Sequence, residues 1–344
     1  MVSAAGVGVG GSCAAIRAQI CRFREVENLY YCQGDNASGE RAPVVMAPAF
    51  KERPREALGA LCLGALRDLV GSSRLARRDL SSLRLSLCLP SWAPAAQSRD
   101  ALDRFLRDLA AQAGFAGIQS ATVTAGGHSG MLAAISQAAG DLAARGERGC
   151  VLAGVGSYFN TETLAALDAA GRLKSERNRD GFVPGECGVA ILLESVSALE
   201  KRGAAPLAIL RGTGNGREPR GIVSGNPSSG QGLRGAIEQA FASAQLNAGV
   251  EWVVCDLNGE SFRAREWGLV QSYLPTLVGT VRRVWHPADC IGDVGAASGG
   301  VLLATVARAF ARGYHPATRA LVWAGSDEGA RSAMIIDKPG TERN

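Results

Sequence analysis

Hydrophobic and polar positions change period many times along the chain, and the changes mark out strands alternating with helices. Residues 120–125 alternate Thr and Val, the pattern of a strand. Gly126 and Gly127 turn the chain. Residues 129–145 contain no Pro, and Gly only at Gly130 and Gly140, which predicts a helix. Its side chains are small on nearly every face: Ala133, Ala134, Ser136, Ala138, Ala139, Ala143. A helix with so little polar surface is expected to lie buried among close neighbours. Residues 295–312 predict a second helix of this kind. Further helices are expected over 56–69, 98–113, 161–170 and 232–244. Strands are expected over 83–89, 150–155, 189–194, 207–211, 252–257, 278–285, 321–324 and 333–337. Residues 25–50 read as irregular surface, 176–180 as a charged loop and 214–232 as a Gly- and Pro-rich loop. Gly6, Gly8 and Gly11 match GxGxxG, but only a stub of strand precedes them. They read as a turn into a helix around 13–24 rather than as a dinucleotide site. The alternation, with one small-residue helix in each half, predicts a layered α/β/α/β/α arrangement of two similar halves, 1–198 and 199–344.

Composition narrows the class. The chain has 344 residues, 47% of them hydrophobic and 20% charged, enough for one large core or two fused halves. Its net charge of +5 comes from 33 Arg and 4 Lys against 32 acids, scattered along the chain. No basic run is interleaved with aromatics, so nucleic acid is not an expected partner. Nine cysteines without a CxxC spacing read as reduced, buried thiols of a cytoplasmic protein. The N-terminus lacks a charged region followed by an apolar one, and no apolar run reaches about 18 residues, so neither a signal peptide nor a membrane span is expected. No cofactor or metal is expected. The candidate chemistry lies where the strand at 120–125 turns into the small-residue helix. A side chain there sits at the positive end of a helix dipole, and it is His128 or Ser129.

Several segments resemble one family. DGFVPGECGVAILLES, residues 180–195, resembles the beta-ketoacyl synthase segment DGFVxGEGxGxLxLE. HSGMLAAISQAAGDL resembles the synthase nucleophile helix, CSSSLxAxxxAxxxL, and CVLAGVGS the strand that follows it. GLRGAIEQAFASAQL resembles the helix leading to the first catalytic His, and IGDVGAASGGVLL resembles IGHxxGAAGxxxL. The resemblance runs from residue 1 to about 337. It implies the thiolase-like fold, with two five-stranded sheets in five layers. It also implies an acyl-thioester site where the two central helices meet. As partners it implies a homodimer, or a heterodimer with a homologous synthase subunit, and acyl carrier protein or acyl-CoA.

The catalytic positions differ from the family's. A synthase uses a Cys thiolate at a helix N-terminus as acyl carrier and two imidazoles as donors. Matching the helix through Leu132, Ala134, Ile135, Ala138 and Leu142 puts His128 at the Cys; alignment to the downstream AGV turn puts Ser129 there, and alignment on SGM puts Gly127. The first catalytic His falls on Asn258 in DLNGES and the second on Asp293 in GDVGAAS. The Gly-rich loop near the family's C-terminus becomes residues 324–329. With all three roles unfilled, the expectation is a condensation-inactive pseudo-ketosynthase of fatty-acid or polyketide-type metabolism, binding an acyl group or serving as partner subunit. A second reading is an acyl-thioester hydrolase or acyltransferase. Its nucleophile would be Ser129, its base His128 or His286, and its orienting group Asp293 or Glu260. GHSGM resembles a nucleophile elbow, although Met131 stands where GxSxG has Gly. A third reading is a scaffold subunit with a filled pocket. His286 reads as structural, His315 as a surface or capping residue, Glu186 as a loop anchor, and Cys187 and Cys290 as small apolar filler.

Overall fold

In the computed structural model, which describes residues 1–31, 42–73, 75, 83–113 and 121–340, the strands gather into two large mixed sheets and one small one. The first sheet runs β2 (Gly6–Val7), β1 (Val2–Ser3), β8 (Glu186–Glu194), β7 (Gly149–Ser157), β5 (Arg84–Cys88), β6 (Ala121–Thr124). The second runs β9 (Ile209–Arg217), β13 (Ala330–Asp337), β12 (Arg319–Gly325), β10 (Trp252–Cys255), β11 (Arg283–Trp285). In each sheet three parallel strands are followed by an antiparallel one: β6, β5 and β7 then β8, and β11, β10 and β12 then β13. The helix Gly130–Arg145 links β6 to β7, and the helix Ser298–Arg312 links β11 to β12 at the equivalent place. The halves are therefore alike in topology. The first sheet departs from the expected five strands because the short β2 adds to its edge.

The inner strands β7 and β12 of the two sheets are buried on both faces. In β7, Cys150 and Leu152 enter the central core, while Val151, Ala153 and Val155 enter the outer one. In β12, Ala320, Val322 and Ala324 face the centre, and Leu321 and Trp323 face out. This period of two delivers apolar groups to both sides, as a sheet covered by helices requires. The helices Ala57–Ser73 and Arg99–Ala113 pack into the outer core of the first sheet, and Gln231–Ser243 and Ser261–Tyr273 into that of the second. Gly130–Arg145 and Ser298–Arg312 fill the layer between the sheets. A Cβ on Gly299 would lie 2.9 Å from Leu132 Cγ, and one on Gly300 2.5 Å from Met131 Sδ, so these helices touch through their small residues. Burial of Gly130–Arg145 is strongest at its N-terminal end; Ala143 and Ala144 are exposed.

Several expectations are corrected. Residues 25–50 are not wholly irregular: β3 (Arg24–Tyr30) pairs with β4 (Pro43–Met46). Residues 32–41, and Cys32 with them, lie outside the described residues. The helix Val9–Arg17 stops short of the expected 13–24, and Gln19 just beyond it is left-handed at φ 55. The segment 278–285 supplies a strand only at Arg283–Trp285. The helix Ser261–Tyr273 was not expected, because it buries Arg263 and Glu266 where an amphipathic helix would bury apolar residues. Among the described residues no helix is long and apolar enough to cross a membrane.

The largest correction is β9, which runs on to Arg217 through residues expected to begin a loop. Gly212, Gly214 and Gly216 recur every second residue and face the helix Gln231–Ser243. A Cβ on each would strike a backbone oxygen four residues further along that helix: Gly232 from Gly216, Ala236 from Gly214, Ala240 from Gly212. Two strand residues advance about 6.7 Å and four helix residues about 6 Å, so bare backbone meets bare backbone at each step. Gly235, on the same helix, has no such neighbour. Gly214→Ala should therefore cost about 1–3 kcal/mol in denaturant unfolding. Gly235→Ala should gain about 0.5–1 kcal/mol from helix propensity. Equal effects at the two positions would contradict this contact.

Candidate functional site

The loops after β6, β7, β10 and β11 and the turn between β12 and β13 converge at the N-terminal ends of the two central helices. Gly126 and Gly127 make the turn that follows β6; a Cβ on Gly127 would lie 2.9 Å from Ser326 Cβ. That close approach fixes the backbone of His128 and Ser129, both buried, just ahead of the helix Gly130–Arg145. Asp293 is held by backbone. Its N–H donates to Val183 O at 2.8 Å, and its own carbonyl accepts from Gly185 N at 2.7 Å. Gly185 has no room for a Cβ against Ile291 O and Asp293 O. Gly292, at φ 73, makes the bend that precedes Asp293.

The Asp293 carboxylate is the hub. His128 Nε2 lies 2.7 Å and 2.8 Å from its two oxygens. Asn258 Nδ2 donates to it at 2.7 Å, Tyr158 OH at 3.0 Å and Gly295 N at 2.9 Å. Around this hub runs a ring of charge. Arg263 donates to Asp256 at 2.9 Å and to Asp327 at 3.1 Å, and its Nη2 lies 3.3 Å from His128 Nδ1. Arg172 forks onto Glu260 at 2.7 and 3.0 Å and reaches Asp327 at 2.7 Å. Asn258 also donates to Glu260, at 3.0 Å. Of the candidate site residues, His128, Asn258 and Asp293 thus come together in one buried network. Ser129 does not join it: its Oγ and N–H both pair with Ser326 Oγ, at 2.8 and 3.1 Å. Among the described residues no hydrogen bond joins Ser129 to an imidazole.

The other histidines lie elsewhere. His286 pairs with Asp289 at 2.7 Å on the half-exposed side of β11. Of the two roles expected for His315, surface and capping, the first is corrected: it is buried and stacked on Trp252 with ring centroids 4.3 Å apart, and its Nδ1 caps the Ala317 N–H at 3.1 Å. Glu186 anchors a loop, as expected, by accepting from Ser157 at 2.7 Å and Arg53 at 2.9 Å. Cys187 and Cys290 are buried, but Cys21 is exposed, against the expectation of uniformly buried thiols. The sequence reading missed Arg172, Arg263, Asp256 and Tyr158. A usable signal was present in Arg263, three residues after the candidate Glu260 and close enough in sequence for the two to pair.

The network shapes its own titration. Burial opposes ionisation of Asp293, but His128, Arg263 and Asn258 overcome it and hold the carboxyl well below the usual carboxylate range. Burial also disfavours an imidazolium at His128, yet the Asp293 carboxylate outweighs it and lifts the imidazole above its usual 6.5. Burial, then Asp293, pushes Tyr158 well above its usual range, so the phenol stays a donor. Beside His128 and Asp293, a cavity of about 20 Å³ is lined by Asp256, Ile291, Val301 and Leu302. That is room enough to hold ordered water. Among the described residues no group of three or more His, Cys, Asp and Glu side chains is placed to hold a metal ion.

Comparison with solved structures identifies the architecture. The chain has the thiolase-like ketosynthase fold. It superposes with TM-score 0.79 and 15% identity on a type II polyketide synthase ketosynthase solved in complex with its acyl-carrier protein and bound to the hexaketide, covering 98% of this chain and 97% of that one. The oxazolomycin ketosynthase domain of Streptomyces albus JA3453 matches with TM-score 0.77 and 17% identity, over 100% of this chain and 76% of that one. The ishigamide ketosynthase/chain length factor matches with TM-score 0.75 and 14% identity, over 98% and 97%. No protein-family model matches the chain, and no curated protein matches it in sequence.

Two linked outcomes check the electrostatics. The His128 imidazole should titrate above 6.5 in a histidine-detected NMR titration, and Asp293→Asn should lower its midpoint. An unchanged midpoint in the variant would contradict the pairing. Because its folded value is raised, the stability His128 contributes is full below 6.5 and fades as pH rises through the folded value. Asp293 is the reverse: its contribution is full above 3.8 and is lost only as pH falls toward its depressed folded value.

Proposed function

We propose that this chain is a condensation-inactive ketosynthase-fold protein that serves as the partner subunit of a homologous synthase in polyketide- or fatty-acid-type metabolism. The observation that carries the reading is the state of the position where a thiolate would sit. His128, a candidate for it beside Ser129 and Gly127, is locked to both oxygens of Asp293, with a cavity of about 20 Å³ beside it. An imidazole held this way neither carries an acyl group durably nor offers a free donor to a developing oxyanion. Asn258, which donates to Asp293 and Glu260, is likewise committed. The pairing of Ser129 with Ser326, away from either imidazole, weighs against the hydrolase.

The partner role draws on the likeness to a chain that is itself described as a ketosynthase/chain length factor. The strand β6 lies at the open edge of its sheet, with Thr122 exposed and no charged residue along it. An unprotected edge of this kind suits pairing with a second copy or a homologous subunit. An acyl carrier protein or acyl-CoA would then meet the assembly at the partner's site. Within the chain we place the division between halves at 198/199.

Incubation with labelled acyl and malonyl carrier-protein thioesters should give no beta-ketoacyl product above the protein-free blank. Product that disappears in His128→Ala or Ser129→Ala would overturn the noncatalytic reading. Light scattering should give a dimer, or a complex with a copurifying homologous subunit. A monomer at micromolar concentration with no such subunit would count against the partner role.

A further inference from the structure

Two free thiols lie on adjoining segments, outside the network around Asp293. Cys21 follows the helix Val9–Arg17 and is exposed. Cys290 lies in the short helix Ala288–Ile291 and is buried. The two segments are tied by backbone, with Arg22 N donating to Cys290 O at 3.1 Å. Cys21 Sγ donates to Asp289 O at 2.9 Å, the carbonyl bonded directly to the nitrogen of Cys290, so the two cysteines stand side by side on adjoining segments. The other six described cysteines are all buried. Cys21 therefore gives solvent access to a thiol pair, whereas a thiol such as Cys62 or Cys255 is sealed in a core.

We propose that Cys21 and Cys290 are a redox modification site: a low-molecular-weight disulfide oxidises them to an intramolecular disulfide, which a dithiol reverses. Burial, then the neighbouring Cys21, pushes the Cys290 thiol up to about 12, so the exposed Cys21 reacts first. The Cys21 thiolate attacks one sulfur of the external disulfide, forming a mixed disulfide and releasing one thiolate. Cys290 gives its proton to solvent and attacks Cys21 Sγ, expelling the second thiolate. Two thiols are oxidised, and one external disulfide is reduced to two thiols. The crosslink clamps the segment after the first helix to the residues that lead, through Gly292, into Asp293. It closes a loop spanning most of the chain, which restricts the unfolded state and should raise the unfolding temperature.

The test uses the full chain and oxidised glutathione as the probe. After oxidation, alkylation under denaturing conditions and peptide mass spectrometry, the expected product is a linked peptide pair joining Cys21 to Cys290. Dithiothreitol should abolish it, and the oxidised protein should unfold at a higher temperature than the reduced one. Cys21→Ser should remove both the link and the thermal shift while leaving the reduced protein's unfolding temperature unchanged. If Cys290→Ala does not fold, the Cys21→Ser arm still decides. A stable Cys21–glutathione adduct with Cys290 alkylated as a free thiol would overturn the proposal, as would a link between any other cysteines.

Discussion

The arrangement of this molecule around its centre depends on one buried carboxylate. Asp293 accepts from His128, Asn258, Tyr158 and the Gly295 N–H, and these groups come from the loops after β6, β10 and β7 and from the start of the second central helix. A buried charge without partners is costly, and removing one partner from a buried ion pair typically costs about 3–5 kcal/mol. Loops from both sheets are thereby held to one point. Arg263 and Arg172 extend the lock to Asp256, Glu260 and Asp327, so no member of the central cluster is released without exposing another charge.

The hub can exist only because backbones approach closely around it. A side chain at Gly156 would collide with Val294 O, and one at Gly185 with Ile291 O. Those contacts press the segment 291–297 against the first sheet and set where Asp293 emerges. Gly299 and Gly300 do the same for the two central helices, over Leu132 and Met131. Packing without Cβ atoms and a paired buried charge are thus two parts of one device: the first brings the loops within reach, and the second holds them there.

Much of this was legible in the sequence. The Thr/Val alternation, the Gly turn and the two small-residue helices were enough to place the central layer, and the segment at 180–195 was enough to suggest the fold. The convergence of His128, Asn258 and Asp293 also followed from their places in those segments. What was not legible has physical causes. β9 hides because Gly212, Gly214 and Gly216 look like a loop, although there they serve packing. The helix Ser261–Tyr273 hides because its inward face carries Arg263 and Glu266, which are buried only because Asp256 and Arg331 pair with them from distant positions. The partner of Ser129 is Ser326, 197 residues away, and no local spacing announces it.

The proposed role as a subunit rather than an acyl carrier rests on a ketosynthase fold whose centre is tied up in this way. The difference lies in whether any side chain at the turn before Gly130 can hold an acyl group. The most direct measurement is the intact mass of the protein after incubation with an acyl thioester, followed by peptide mapping of 121–145. An unmodified mass is the result expected from a closed His128–Asp293 lock. A stable acyl adduct on His128 or Ser129 would contradict it.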